Sequence, residues 1–329
     1  MELYWLSVIN HNGRSTRIKR SKQSIPKKLD SLGIETNVTL APFTTFGIGG
    51  PADFLFRAKS SGELIEVLSI AQEMGLPYFL MGKGANLLIG DRGFAGLIII
   101  CEISGINFLG EGLVRVGAGV ETYPNLITAT VDKGLSGLHH FVGIPSTVGG
   151  AMWQNLHFLS PAPNRSRTIF IEEFVETATI FSEEKEIKVV DKDYFKFSYD
   201  YSILHDRKDL VLSVDFLLDR EDPLKLQQIM NENLGWRKTR HPDLQKFGSA
   251  GSIFKKIQGI GAGRLIDICG LKGKIHGGAQ IFERHANIII NRGGATASDV
   301  LALIDLAQTA VAREHGHDLE PEITFVGEF

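Results

Sequence analysis

Cysteine is nearly absent: Cys101 and Cys269 are the only two in 329 residues, and they lie in unrelated apolar surroundings. That scarcity excludes a disulfide framework and any multi-cysteine metal site, and it fits a reducing, cytoplasmic setting. No His-x-Glu or His-x-x-x-His spacing supports a metal in their place. Excess charge is missing too. A formal net charge of −3 gives no general attraction to nucleic acid or anionic membranes, so any bound phosphate must be held by local groups. A small charged ligand suits the chain better than a polymer. No stretch approaches the ~18 apolar residues of a membrane span. Residues 1–28 carry a basic run from Arg14 to Lys22 but no apolar core of signal-peptide length, and they read as a solvated, flexible extension. There is neither an internal repeat nor a low-complexity segment.

What is present is an ordinary globular composition, 43% hydrophobic and 22% charged, long enough for two or three domains. Residues 52–57 alternate as a half-buried strand. Ser60 and Glu63 then form a capping-box pair ahead of Leu64, Val67, Leu68 and Ala71 on one helical face, with Gly75 as the stop and a strand at 77–81. Short β-branched runs follow at 97–100, 114–116, 174–181, 187–190 and 210–217, as in a mixed α+β domain on an antiparallel sheet. A helix is expected over 224–236, a strand over 286–291, and a last helix from Ser298 to Gly316.

Four glycine clusters compete for a phosphate: at 47–50, 82–86, 117–119 and 143–150. The first nominally matches a dinucleotide fingerprint, but Pro51 and an alternating strand follow it where a helix should open, which rules out a Rossmann site. The cluster Gly82-Lys83-Gly84-Ala85-Asn86 follows a strand and lacks the Lys-Ser/Thr pair of a P-loop. What remains is a tight loop whose backbone amides face a pyrophosphate.

Three segments in order, Thr44-Thr45-Phe46-Gly47-Ile48-Gly49-Gly50-Pro51-Ala52, Gly82-Lys83-Gly84-Ala85-Asn86-Leu87-Leu88 and Gly143-Ile144-Pro145-Ser146-Thr147-Val148-Gly149-Gly150-Ala151, carry a resemblance to the UDP-N-acetylenolpyruvoylglucosamine reductases, the MurB family. Ala250-Gly251-Ser252-Ile253-Phe254-Lys255, Ala262-Gly263-Arg264 and Leu319-Glu320-Pro321-Glu322-Ile323 extend it through the second half. The resemblance implies an α+β chain: a vanillyl-alcohol-oxidase type FAD-binding fold of two subdomains, residues 29–100 and 101–222, then a substrate domain, 223–319, and a terminal strand, 320–329. It implies FAD held by Gly82, Gly84, Ala85, Asn86, Leu87, Leu88, Ile144, Ser146, Gly149 and Arg237. Ser252 matches the family's proton donor and Glu322 its second catalytic residue. Arg240 and Lys255 are expected at the substrate. The implied reaction is NADPH-dependent reduction of a UDP-sugar enolpyruvyl ether by a cytoplasmic monomer.

The match breaks at Tyr199-Asp200-Tyr201-Ser202, where the family has Tyr-Arg-x-Ser. An ionised aspartate beside a developing enolate would oppose reduction. Asp200 must turn away, stay protonated, or be neutralised by another arginine, and Arg165, Arg167 and Arg207 are the candidates for the last option, which we favour. Trp153-Gln154-Asn155-Leu156-His157 also replaces an Asn-Ala-Gly-Ala segment. These departures leave open a same-fold FAD oxidoreductase acting on another alcohol or hydroxy acid, or a flavin- or UDP-sugar-binding protein without turnover. His139 and His140 are the candidates for covalent flavin attachment.

Overall fold

The run Leu97 to Ile100 is apolar at every position, the pattern of a strand covered on both faces. In the computed structural model, which describes residues 32–257 and 259–329, it lies in the strand Phe94–Cys101. Leu97 and Ile99 face one core, Ile98 and Ile100 another. Its parallel neighbours are Pro51–Ala58 and Tyr78–Met81, and Glu35–Thr39 closes the four-stranded sheet antiparallel. The crossover helix Ser61–Glu73 starts where the capping box places it: the Ser60 hydroxyl accepts from Glu63 N–H at 3.2 Å, and the Glu63 carboxylate accepts from Lys59 N–H at 2.7 Å. The expected apolar face, Leu64, Val67, Leu68 and Ala71, is buried, and Gly75 turns the chain at φ +62°. The basic run from Arg14 to Lys22 lies outside the described residues.

A second, wholly antiparallel sheet orders its strands Ile187–Asp191, Val175–Phe181, Leu210–Leu217, Leu113–Gly117 and Ile106–Gly110. Val116, Ile180 and Val214 from this sheet join Leu97 and Ile99 in one continuous core. The two sheets are thus separate ladders on shared apolar packing. The helix Pro223–Arg240 begins at Asp222, whose carboxylate accepts from Leu224 N–H at 3.0 Å, and runs four residues beyond the expected Trp236. Arg237, Lys238 and Arg240 in its last turn suit the negative end of the dipole. It buries Leu226 and Met230 in the first core, so packing assigns it there and the C-terminal core begins nearer Ala250.

That second core is built on the helices Ala262–Ile268 and Ala297–His315 and a small sheet of Ile275–His276, Ala279–Ile281 and Ile289–Asn291. The strand expected from Ala286 is confined to its last three residues. The core draws in Phe46, Ile48 and Leu88 from the first half of the chain. Two polar links complete the union. Asp91 accepts from Ala297 N–H at 2.6 Å, from Ser298 N–H at 3.0 Å and from the Ser298 hydroxyl at 2.7 Å, which caps the last long helix from another part of the chain. The strand Thr324–Val326 lies parallel to Leu87–Ile89, and just before it Glu322 N–H donates to the Ile253 carbonyl at 2.8 Å. Asp91→Ala leaves two helix-end amides without their acceptor and should lower stability by ~1–2 kcal/mol, read as a lower urea midpoint with an unchanged slope.

Candidate active site

A cavity of about 1240 Å³ opens between the two cores. Pockets for single small ligands span roughly 300–1,000 Å³, so this one has room for more than one ligand. Its walls are the loop 82–86, the loop 143–150, the end of the helix Pro223–Arg240, and the segment around Ser252 with the returning C-terminal chain.

The two glycine loops touch each other. A Cβ on Gly82 would stand 2.1 Å from the Thr147 hydroxyl oxygen, and one on Gly84, at φ +63°, 2.4 Å from the Phe43 carbonyl. Among the described residues, no group accepts from the backbone amides of 82–86, a loop that is buried only at Gly84. Five successive free donors along a cavity wall form a ready anion cradle. Ser146 and Ile144 line the facing wall. Gly149 lines it too, but its N–H is committed to the Ala118 carbonyl at 2.8 Å, so it offers close approach and no donor. Leu87 faces the cavity. Leu88 does not: alternation along the strand turns its side chain into the C-terminal core, where it is fully buried, which leaves only its backbone for the expected cofactor contact.

Arg237 lines the cavity, stacked 5.5 Å from the Phe158 ring centroid, and burial pulls its guanidinium down to about 10. Arg240 stands three residues on, on the exposed side of the helix, over the Trp236 ring at 4.6 Å, and Lys255 pairs with Glu320 outside the wall. Neither lines the cavity. Lys238, Lys246 and Arg284 do, and no sequence motif marked them. His139 accepts from Gly137 N–H, and His140 lies 2.7 Å from the Ser160 hydroxyl; burial lowers them to about 3 and about 4, and both sit off the cavity wall.

Ser252 and Glu322, seventy residues apart in sequence, both line the cavity. Backbone pairing brings them together: Ser252 bridges Ile288, Phe254 bridges Pro321, and Glu322 N–H donates to Ile253. Asn86 of the glycine loop donates its side-chain amide to the Glu322 carbonyl at 3.2 Å. Burial, reinforced by the nearby Asp200 and opposed by Lys255, raises the Glu322 carboxyl to about 8. At neutral pH it is a protonated acid, a hydrogen-bond donor in a cleft.

The family model for the C-terminal domain of UDP-N-acetylenolpyruvoylglucosamine reductase matches residues 242–326, and an FAD binding domain model matches 52–160. Proteins named UDP-N-acetylenolpyruvoylglucosamine reductase from Synechococcus sp. (strain WH7803) and Moorella thermoacetica are each 38% identical, over 89% and 90% of this chain and 93% and 94% of their own. The crystal structure of the Thermus caldophilus reductase (MurB) superposes with a TM-score of 0.72 at 32% identity, covering 88% of this chain and 97% of that one. The chain belongs to the UDP-N-acetylenolpyruvoylglucosamine reductase family. The two-subdomain FAD-binding fold with a family-specific C-terminal domain is thereby established.

Within this family fold, none of the three arginines expected to neutralise Asp200 reaches it. Arg165 donates to Asn233 at 2.8 Å and stacks on Trp236, Arg167 pairs with Glu173 at 2.9 Å, and Arg207 is held by Asp209 at 2.8 Å and Glu184 at 2.6 Å. Each was drawn to a nearer acid, amide or ring. Asp200 does not turn away either. At φ +53° in a tight turn whose Ser198 and Tyr201 pair with each other, its side chain is 2% exposed and lines the cavity. Burial raises its carboxyl, the direction that protonation requires, while the nearby His157 opposes the rise.

Two outcomes follow. Gly82→Ala should force the loops apart at a cost of roughly 1–3 kcal/mol, weakening flavin retention about tenfold or more; Thr147→Ala in the same chain should recover part of it in a fluorescence titration. From the ordinary carboxylate range up to about 8, folded Glu322 holds a proton that the unfolded chain has released. Stability therefore falls as pH rises through that window, and Glu322→Gln should flatten the decline in urea midpoints measured from about pH 5 to about pH 9.

Proposed function

We propose that the chain is a cytoplasmic, monomeric, FAD-dependent reductase that converts UDP-N-acetylenolpyruvoylglucosamine to UDP-N-acetylmuramate for peptidoglycan synthesis, with NADPH as reductant. The observation that carries this reading is the meeting of Ser252 and protonated Glu322 in a cavity walled by the two glycine loops. The loop 82–86 would hold the FAD diphosphate on its free amides, with Ile144, Ser146 and Gly149 on the facing wall and Arg237 near the ring. When bound, FAD supplies hydride chemistry, taking hydride from NADPH and passing it to the enolpyruvyl double bond. What the protein must add is a proton at the neighbouring carbon and stabilisation of the enolate oxygen. The Ser252 hydroxyl is a weak acid, but a carbanion is basic enough to take its proton when the two are held in contact. Glu322, neutral and donating, stabilises the negative oxygen without adding charge of its own. Lys238, Lys246 and Arg284 along the wall suit the UDP diphosphate, a role taken over from Arg240 and Lys255.

A second reading, a reductase or dehydrogenase of the same fold for another alcohol or hydroxy acid, is favoured by Asp200 and by Trp153 at the cavity wall. Anaerobic reduction of the bound flavin by NADPH, followed by UDP-N-acetylenolpyruvoylglucosamine, separates the two. Reoxidation by that sugar supports the reductase; a flavin that stays reduced refutes it. Ser252→Ala should slow reoxidation by ~10²-fold or more while leaving reduction by NADPH unchanged. In the parent enzyme reoxidation should decline above about pH 8 as Glu322 ionises, and Glu322→Gln should lose that limb.

A further inference from the structure

Asp200 is the least comfortable group in the cavity. Neither carboxylate oxygen has a hydrogen-bond partner of good geometry among the described residues, although the Gln154 amide and the Tyr199 hydroxyl are near enough to act on it and buried polar atoms are nearly always satisfied. Its one near neighbour of opposite potential charge is His157, whose Nδ1 stands 3.7 Å from Asp200 Oδ1, inside ion-pair range and just beyond a hydrogen bond. His157 lines the same cavity wall. Its ring is fixed from three sides: Tyr199 at 4.7 Å, Phe170 at 5.3 Å, and the Asn155 carbonyl 3.3 Å from Nδ1. It lies at the end of the Trp153-to-His157 segment, so the chain's two departures from the family pattern, forty-three residues apart, meet in space.

A lone aspartate in this place would carry negative charge toward any anionic ligand. A histidine against it changes the balance, because the two together hold one proton and no net charge. Burial pulls His157 down and Asp200 up, and each opposes the shift of the other. Burial disfavours the charged form of each, and an anion beside the ring favours the arrangement in which the imidazole carries the shared proton and the carboxylate is ionised. The other charged or titratable groups facing the pair are His205 and Lys255, which favour the ionised Asp200 carboxylate, Lys256, which disfavours the charged imidazole, and Glu322 and Tyr199, both of which burial raises. His205 stacks on Trp153 at 4.4 Å and bonds its carbonyl at 3.0 Å, so it is committed elsewhere.

We propose that Asp200 and His157 share one proton as a pair, with His157 the group that meets the substrate's enolpyruvyl carboxylate and Asp200 the positioning residue that charges it. The role against the carboxylate rests on the proposed reductase activity; the pairing itself does not. In this arrangement the aspartate carries no free charge toward the enolate, and the imidazolium supplies the cation that the family's arginine position lacks here.

The test uses FAD-loaded protein labelled with 15N-histidine, the His157 signal being the one absent from His157→Gln. His157 should titrate at lower pH in Asp200→Asn than in the parent. Should the asparagine variant fail to retain FAD, Asp200→Ser serves the same measurement. With UDP-N-acetylenolpyruvoylglucosamine, each single substitution should slow flavin reoxidation about tenfold or more, and the double variant should be no slower than the worse single. An unaltered His157 titration, or single effects that multiply in the double variant, overturns the proposal. A parent enzyme that the sugar does not reoxidise refutes the reductase reading instead, and leaves the titration to decide the pair.

Discussion

The site depends on one piece of backbone hydrogen bonding: the C-terminal chain is laced on one side to the glycine loop and on the other to the Ser252 segment. Thr324 N–H donates to the Asn86 carbonyl, Asn86 donates back to the Glu322 carbonyl, and Glu322 N–H donates to Ile253. Without those bonds Glu322 would be a solvated carboxylate near a chain end. With them it is half-buried against the loop and the serine segment, and that desolvation is the largest cause of its raised carboxyl. Position and protonation thus have a single cause. Leu319, Ile323 and Val326, buried on either side of it, hold the segment in place through packing that backbone bonds alone would not secure.

The same low-polarity environment governs the other ionisable groups in the cavity. Asp200, Glu322 and Tyr199 are pushed toward their neutral forms and His157 toward deprotonation. The fixed positive potential comes instead from the free amides of 82–86 and from Arg237, Lys238, Lys246 and Arg284 at the wall. Charge attraction and proton chemistry are therefore divided between different parts of the cavity.

The cavity lies where the cores meet because the chain ties them there. Phe46, Ile48 and Leu88 cross into the C-terminal core, and Asp91 caps a helix more than two hundred residues away. Nearby, the glycines at 82 and 84 allow close approach to the Thr147 side chain and the Phe43 carbonyl, with which any side chain there would collide. The rigidity of the wall and its exposed amides are two results of one close packing.

By itself the sequence determined the local elements and the family. Ser60 with Glu63 set a helix start, Leu97 to Ile100 marked a strand but not the mainly parallel sheet it joins, and the ordered glycine, serine and glutamate segments named the fold and its flavin cofactor through short-range patterns that survive in one dimension. Its reading of side-chain direction was weaker. Leu88 turned inward by strand alternation, Arg240 fell on the outer face of a helix that ran to its own position, and Lys255 found Glu320. Only tertiary structure decided the fate of Asp200, because the partners of a buried charge are set by what packing brings within a few ångströms. Arg165, Arg167 and Arg207 were captured by nearer groups, and His157, forty-three residues before Asp200, was brought to its side.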